Sequence, residues 1–267
     1  MEKVISLKTI LLDMDGVLWR GSDPILNVRE LFNRIRELGF QVFCVTNNST
    51  SSVDVYLEKL NGFGVRLKNF QVITSAEAAA VYLVEQFPLK GFLFVVGEEG
   101  LKGTLKKQGF YISETADMED VLAVVAGLDR ALTYQKINQA AKLISRGALF
   151  LGTNPDKTIP TPDGNAPGAG AVISSIEAAS GQKAIIIGKP ERHMYALALS
   201  RAGCTPEETI MLGDRLETDI LGAQRMGMHT GLVLTGISNR QAGESWDPEP
   251  DIIAEDAFEI LEVLARK

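Results

Sequence analysis

The chain has 267 residues, of which 45% are hydrophobic and 23% charged, and this composition supports one large or two moderate globular domains. The formal net charge is −7 without blocks of like charge, which argues against a basic patch that binds nucleic acid. No apolar stretch approaches the roughly 20 residues of a membrane span and no signal peptide is evident at Met1–Thr9, so we expect a soluble, cytoplasmic protein with no membrane partner.

Short apolar runs alternate with helical patterns from the start of the chain. Thr9–Leu12 predicts a strand, Val28–Leu38 has the apolar spacing of a helix, and Gln41–Val45 predicts a second strand. Val72–Ile73 then predicts a short strand, followed by an alanine-rich helix with Ser75 as its N-cap.

The segment between Thr46 and Lys189 is far longer than the roughly 30 residues of one strand–helix unit. It has an alternation of its own: a strand at Phe92–Val96, a helix to Gln108, a strand at Val121–Ala126, a helix at Tyr134–Ser145 and a strand at Leu149–Leu151. The turn-rich stretch 153–170 follows. We therefore predict an inserted α/β domain over residues 79–183.

The last third of the chain repeats the first pattern. It predicts strands at Ala184–Ile187, Thr209–Leu212, Gly231–Leu234 and Ile252–Ile253, with Pro190 at the first position of a helix that ends at Gly203. Residues 1–78 and 184–267 are thus predicted as two parts of one core domain. Alternating strands and helices predict an α/β fold with a doubly wound parallel sheet.

Four polar clusters each follow a predicted strand. They are Asp13 with Asp15, the run Thr46–Asn48, Lys189, and Asp214 with Asp219. In open parallel sheets, ligands bind beyond the carboxyl ends of the strands, so one crevice can collect all four clusters.

The first cluster has the residues for phosphate-ester hydrolysis in two steps. Asp13, directly after its strand, is predicted as the nucleophile that takes the phosphoryl group. Asp15, two residues on, is predicted as the general acid that protonates the leaving oxygen and then as the base that activates water. Its pKa must be raised for it to begin protonated.

The acidic residues and a bound phosphate would repel one another, which predicts a cation. We expect Mg²⁺ to be held by the side chains of Asp13 and Asp214 and by the backbone carbonyl of Asp15. We expect Asp219 to orient a water ligand of the metal.

The two other clusters supply groups that suit a phosphate. Lys189 offers a compact positive charge toward the phosphate and Asp13. Thr46 and the backbone amides of Asn47 and Asn48 can hold phosphoryl oxygens at the start of a helix.

These clusters resemble the haloacid dehalogenase superfamily of aspartate-nucleophile phosphatases. Its four motifs look like Leu11–Leu18, Val45–Asn48, Gly188–Pro190 and Met211–Asp219. The large insertion is similar to that of class IIA members, the NagD or para-nitrophenyl phosphatase type, whose cap signature looks like Gly152–Asp156 and Pro167–Gly170.

The resemblance implies a Rossmann-like core with an α/β cap over the active site, and Mg²⁺-dependent hydrolysis of small phosphorylated metabolites. The substrates of the family include nucleoside monophosphates, sugar phosphates and para-nitrophenyl phosphate. It also implies that Asn154 and Asp156 contact the substrate, although both could simply form turns. Ile159 stands where some members carry a histidine, which makes pyridoxal phosphate and phosphoglycolate less favoured substrates.

Several alternatives stay open at this point. The chain could be a phosphotransferase or mutase, or a non-catalytic protein that binds phosphometabolites, and it could be a monomer or a homodimer. Trp19 and Arg20, which follow the first motif, could line the entrance of the crevice or pack on the loop.

Overall fold

The computed structural model describes residues 7–113, 115, 120–161 and 164–266. Its strands, in chain order, are β1 (Thr9–Leu12), β2 (Trp19–Arg20), β3 (Asp23–Pro24), β4 (Gln41–Thr46), β5 (Val72–Thr74), β6 (Phe92–Val96), β7 (Tyr111–Ser113), β8 (Val121–Ala126), β9 (Leu149–Gly152), β10 (Thr158–Thr161), β11 (Gly164–Pro167), β12 (Ile185–Ile186), β13 (Thr209–Gly213), β14 (His229–Val233) and β15 (Ile252–Ala254).

The α-helices are α1 (Val28–Glu37), α2 (Val53–Gly62), α3 (Ser75–Gln86), α4 (Glu99–Lys107), α5 (Tyr134–Ser145), α6 (Ala169–Ser180), α7 (Arg192–Ala202), α8 (Leu221–Arg225), α9 (Arg240–Glu244) and α10 (Ala257–Ala265). Short 3-10 helices lie at Asn69–Gln71 and Pro206–Glu208, and a π-helix at Leu216–Ile220 leads into α8.

The chain divides into two compact units. The first consists of residues 1–46, 53–73 and 189–267, and the second of residues 47–52 and 74–188. The second unit is therefore inserted into the first along the sequence. The sequence-based domain boundaries at residues 79 and 183 stay a prediction.

The first unit contains a six-stranded parallel sheet in the order β15-β14-β13-β1-β4-β5. Strand β1 lies between β13 and β4, where Leu11 pairs with Met211 on one side and Phe43 on the other. Because β1 is central and wholly buried, its end is a rigid support for the residues that follow. Helix α1 shows why the flanking helices form: its apolar face is buried, and Asn27 caps it by accepting from the Glu30 N–H at 3.2 Å.

The second unit has its own five-stranded parallel sheet, in the order β12-β9-β8-β6-β7. Its core packs Val96, Val124 and Phe150 of the sheet against Ile144 of α5 and Ile173 of α6. An antiparallel pair, β10 with β11, adds a hairpin-like element. Parallel strands alternating with helices in both units confirm the predicted α/β class.

The predicted strand Ala184–Ile187 was assigned to the wrong sheet. Strand β12 pairs with β9 of the second unit, through Ile185 with Leu151, and is only two residues long. A local apolar run gives no information about its pairing partner, which explains the error. Accordingly, Lys189 does not follow a strand of the core sheet as the prediction assumed.

Two local predictions, the N-cap of α3 and the start of α7, were also wrong. The N-cap of α3 is Thr74, whose side chain accepts from the Glu77 N–H at 3.1 Å, whereas Ser75 is the first helical residue. Pro190 precedes the N-cap Glu191 of α7 rather than starting that helix. The turn-rich stretch 153–170 contains β10, β11 and the start of α6, although its residues 162 and 163 lie outside the described part.

Among the described residues, no helix is both long and apolar enough to cross a membrane.

Candidate active site

The loop after β1 carries Asp13 and Asp15 and is held close to the end of β13. The Asp13 N–H donates to the Leu212 carbonyl at 2.9 Å, which extends the sheet pairing by one residue. Gly16 has φ of +88°, and a Cβ at this position would lie 2.5 Å from Oδ2 of Asp214. Glycine is therefore required for the turn and for the close approach of the loop to Asp214.

The ammonium of Lys189 is buried among oxygen atoms from three parts of the chain. Its Nζ lies 2.7 Å from Oδ1 of Asp13 and 2.6 Å from Oδ1 of Asp219, and it donates to the Val45 carbonyl at 3.1 Å. Lys189 is only 2% exposed. A buried lysine at this spacing holds both carboxylates in place and offsets part of their charge.

Asp13, Asp214 and Asp219 form a cluster in which one oxygen from each lies within 4.8 Å of the others. All three are buried, and the one ammonium that the described part of the chain places against them, that of Lys189, cannot balance three carboxylates. Among the described residues, Oδ1 of Asp214 and Oδ1 of Asp219 are buried with no hydrogen-bond partner, and only the oxygen of Asp219 has the Lys189 ammonium as an ion-pair partner. Oδ2 of Asp214 accepts from the Ile237 N–H at 2.8 Å. An unpartnered buried carboxylate oxygen beside two further carboxylates fits a hard divalent cation such as Mg²⁺.

The electrostatics of these buried residues favour the same fit. Burial raises the pKa of Asp13 well above its usual range, although the Lys189 ammonium opposes this. Burial and the neighbouring Asp219 charge raise the pKa of Asp214 to about 6. Burial by itself would lower the pKa of Lys189, but the charges of Asp13 and Asp219 raise it above its usual value, so Lys189 stays protonated.

Asp15 differs from its neighbour Asp13 because its side chain is accessible to solvent. The protein atoms packed around it nevertheless raise its pKa, against the opposing effects of Lys59 and of a hydrogen bond from Trp19. That bond joins Trp19 Nε1 to Asp15 Oδ1 at 3.0 Å. The sequence left open whether Trp19 and Arg20 line the crevice entrance or pack on the loop. Trp19 is wholly buried and packs on the loop, whereas Arg20 is exposed.

The residues of the second cluster belong to different units of the chain. Thr46 is the last residue of β4 and is buried in the first unit, where the Tyr56 side chain hydrogen-bonds to it. Asn47 and Asn48 begin the segment that belongs to the second unit. Oδ1 of Asn48 accepts from the N–H of Thr50 at 2.9 Å and from its hydroxyl at 2.7 Å, which folds the segment into a tight turn.

Asn154 and Asp156 contact Asn47 within the second unit. The Asn154 Nδ2 donates to the Asn47 carbonyl at 2.7 Å, and the Ser75 hydroxyl donates to the same carbonyl at 2.6 Å. The Asn47 Nδ2 donates in turn to Oδ2 of Asp156 at 3.2 Å. These contacts anchor the Asn47 backbone. Contact of Asn154 or Asp156 with a substrate stays a prediction.

The structure thus brings Asp13, Lys189, Asp214 and Asp219 into direct proximity, with Asp15 on the same loop as Asp13. The contact between Trp19 and Asp15 was not predicted. A four-residue spacing is a contact signal only in a helix, and here the residues lie in a loop and a two-residue strand.

Two family models match the chain and agree with this geometry. Residues 10–111 match a haloacid dehalogenase-like hydrolase family, and residues 186–260 match a HAD-hydrolase-like family. The chain belongs to the haloacid dehalogenase-like hydrolases, and it is a phosphatase of the class IIA type.

Individual relatives cover nearly the whole chain. It is 34% identical to an acid sugar phosphatase of Staphylococcus aureus over 259 residues. The aligned residues cover 97% of this chain and 98% of the relative. The p-nitrophenyl phosphatase from Archaeoglobus fulgidus superposes with a TM-score of 0.89 at 28% identity, covering 97% of this chain and 99% of that one. NagD from E. coli superposes with a TM-score of 0.86 at 30% identity, covering 95% and 98%.

Proposed function

We propose that this phosphatase hydrolyses phosphate monoesters of small metabolites with Mg²⁺, through a phosphoryl group carried transiently on Asp13. The observation that carries the proposal is the ammonium of Lys189 placed 2.7 Å from Asp13 and 2.6 Å from Asp219, beside the unpartnered buried oxygen of Asp214. Three buried carboxylates would repel a bound anion, so they are not expected in a site that only binds an anion.

The proposed roles follow from burial and contacts. Asp13 is rigidly held and attacks phosphorus with a carboxylate oxygen. Asp15, accessible to solvent and with a raised pKa, gives its proton to the leaving oxygen and then takes one from the attacking water. Lys189 holds the Asp13 carboxylate and adds positive charge for the phosphoryl oxygens.

Asp13 and Asp214 would hold Mg²⁺ by their side chains and Asp15 by its carbonyl, as the sequence predicts. The Asp219 carboxylate already engages Lys189 and accepts from the Arg215 N–H at 3.2 Å, which favours an orienting role for it. When bound, Mg²⁺ supplies positive charge that reduces the repulsion between these carboxylates and the phosphate.

Thr46 and the amides of Asn47 and Asn48 are proposed to cradle the phosphoryl oxygens. Sugar phosphates and nucleoside monophosphates are proposed as the substrate class, supported by the acid sugar phosphatase to which the chain is similar. Para-nitrophenyl phosphate is proposed as a chromogenic substrate, supported by the similar p-nitrophenyl phosphatase from Archaeoglobus fulgidus. Cytoplasmic location, and a monomeric or homodimeric state, stay predictions from the sequence.

The test is phosphate release from a panel of sugar phosphates, nucleoside monophosphates and para-nitrophenyl phosphate, with Mg²⁺ and with EDTA. We expect Mg²⁺-dependent release that is lost in Asp13→Asn, with Asp23→Asn, an exposed carboxylate, as the matched control. Release that persists in EDTA, or an Asp13→Asn variant within tenfold of wild type, would overturn the proposal.

A further inference from the structure

Trp19 makes a directed contact with the proposed acid/base residue. Its indole Nε1 donates to Oδ1 of Asp15 at 3.0 Å, and the backbone of the loop holds the two residues together. The Gly16 N–H donates to the Trp19 carbonyl at 2.8 Å, and the Trp19 N–H to the Met14 carbonyl at 3.3 Å. The two residues therefore belong to one tight loop.

The indole itself is held by two ring contacts. Trp19 is wholly buried and stacks on Phe63, with ring centroids 5.9 Å apart and planes 23° from parallel. The Lys59 ammonium lies 3.8 Å from the centroid of the Trp19 ring and donates to the Gly21 carbonyl at 2.6 Å. Stacking and a cation–π contact hold the ring in one orientation, so its N–H direction is set before any substrate arrives.

An indole nitrogen can donate a hydrogen bond but cannot accept one. Oδ1 of Asp15 therefore presents a lone pair to Trp19. Because the hydroxyl oxygen of a carboxylic acid is a poorer acceptor than its carbonyl oxygen, this contact favours Oδ2 as the oxygen that carries a proton. The two oxygens of Asp15 are chemically distinguished by this one contact, without reference to the pKa of the group.

We propose that Trp19 is a positioning residue for Asp15, which occupies Oδ1 and leaves Oδ2 as the proton-carrying oxygen. In the first step the Oδ2 proton moves to the ester oxygen as its bond to phosphorus breaks and the bond from Asp13 to phosphorus forms. In the second step Oδ2 takes a proton from water as the water oxygen bonds to phosphorus and the bond to Asp13 breaks. The inference rests on the proposed function.

The experiment compares leaving groups, because only poor leaving groups need protonation. Single-turnover rates are measured for para-nitrophenyl phosphate, whose leaving group departs readily, and for a sugar phosphate, whose alkoxide leaves poorly. We expect Trp19→Phe, which keeps an aromatic ring but removes the N–H, to slow the sugar phosphate about tenfold while slowing the nitrophenyl ester less than about threefold.

The matched control is Trp246→Phe. The Trp246 indole also donates to a side-chain oxygen, that of Gln224 at 3.1 Å, in the same unit but without contact to Asp15. We expect this variant to have the wild-type ratio of the two rates. If Trp19→Phe fails to fold, benzothienylalanine at position 19 replaces the N–H by sulfur with little change of shape, and the same selective loss is expected.

Equal slowing of both substrates, or none, in a folded Trp19 variant overturns the inference. The Asp15→Asn variant separates this result from failure of the proposed function. If Asp15→Asn slows the sugar phosphate selectively and the Trp19 variants do not, only the positioning role is wrong. If Asp15→Asn shows no selectivity between leaving groups, the acid/base role of Asp15 is wrong, and the inference with it.

Discussion

The Nζ of Lys189 donates to Oδ1 of Asp13 at 2.7 Å, although the two residues are 176 positions apart in the chain. Both side chains are buried, and the Lys189 ammonium offsets part of the charge of Asp13 as it does for Asp219. The second unit lies between them in the sequence, and the contact is formed within the first unit alone. This pair links the folding of the first unit to its proposed chemistry.

Removal of the Lys189 charge should damage both activity and stability. In Lys189→Met, we expect kcat to fall at least about 100-fold, because the phosphoryl oxygens lose a preorganised positive charge. Because Asp13 and Asp219 are left buried without their counter-charge, the free energy of unfolding in EDTA should fall by about 3–5 kcal/mol. Urea titration and steady-state kinetics provide the two measurements.

Lys183→Met is the matched control for that variant. Lys183 forms an ion pair with Glu177 at 2.7 Å, but its side chain is 88% exposed and lies in the second unit. We expect a loss of about 1 kcal/mol or less and an unchanged kcat. A Lys189 variant that behaves like this control contradicts the assigned role.

Asp214 should couple metal binding to stability. Mg²⁺ at 100 times its dissociation constant should stabilise the wild type by about 2.7 kcal/mol, since it binds the folded state. Asp214→Asn replaces the unpartnered buried oxygen with a poorer ligand, so most of this stabilisation should disappear, whereas Asp23→Asn should retain it. Thermal unfolding with and without Mg²⁺ measures this stabilisation in each variant. An equal Mg²⁺-dependent shift of the unfolding temperature in both variants argues against Asp214 as a ligand.

Without metal, the pH dependence of stability should have a definite sign. The pKa of Asp214 is about 6 in the folded state, against about 3.9 for an unfolded aspartate, so the folded state binds the proton more tightly. Stability contributed by this proton is present below about pH 4 and is lost as pH rises through 6, by about 2–3 kcal/mol. Unfolding in EDTA between pH 4.5 and 7.5 should show that the wild type loses stability relative to Asp214→Asn as the pH rises. A difference in unfolding free energy between the two proteins that does not change with pH would contradict the raised pKa of Asp214.

Asn154 should act through the segment that begins at Asn47. Asn154→Leu removes the donor to the Asn47 carbonyl, so we expect about 1–3 kcal/mol less stability and a raised KM, because the proposed phosphate cradle loses its anchor. Asn239→Ala removes a helix cap of similar energetic weight elsewhere and should leave KM unchanged. A wild-type KM in Asn154→Leu, with the stability loss present, rules out this role.

Local sequence patterns were sufficient to predict the fold class and the place of the polar clusters along the chain. The alternation of strands and helices predicted the α/β class. The position of Asp13 directly after a strand predicted that it lies beside the other polar clusters, because the ends of parallel strands meet at one edge of the sheet. The pairing of Ile185 with Leu151 depended on long-range contacts that no local pattern records. The strand Thr158–Thr161 was not predicted, because it contains a proline and proline is unusual within a sheet.

The contact between Asp15 and Trp19 illustrates a second limit. Its geometry depends on how a short loop is closed by Gly16 and packed by Phe63, which is a tertiary property. The sequence suggested two readings for Trp19, and burial alone separated them. The grouping of the charged residues was thus predictable from the sequence, whereas the contact of the uncharged Trp19 with Asp15 was not.

The most direct test of the central claim is to locate the phosphoryl group on the protein. Asp15→Asn should be able to accept the group from para-nitrophenyl phosphate but not to activate water, so the phosphorylated form should accumulate. After acid quench and borohydride reduction, which converts an acyl phosphate to an alcohol, peptide mass spectrometry should find homoserine at position 13. A burst of nitrophenol with the modification at another residue, or with none, would contradict the account.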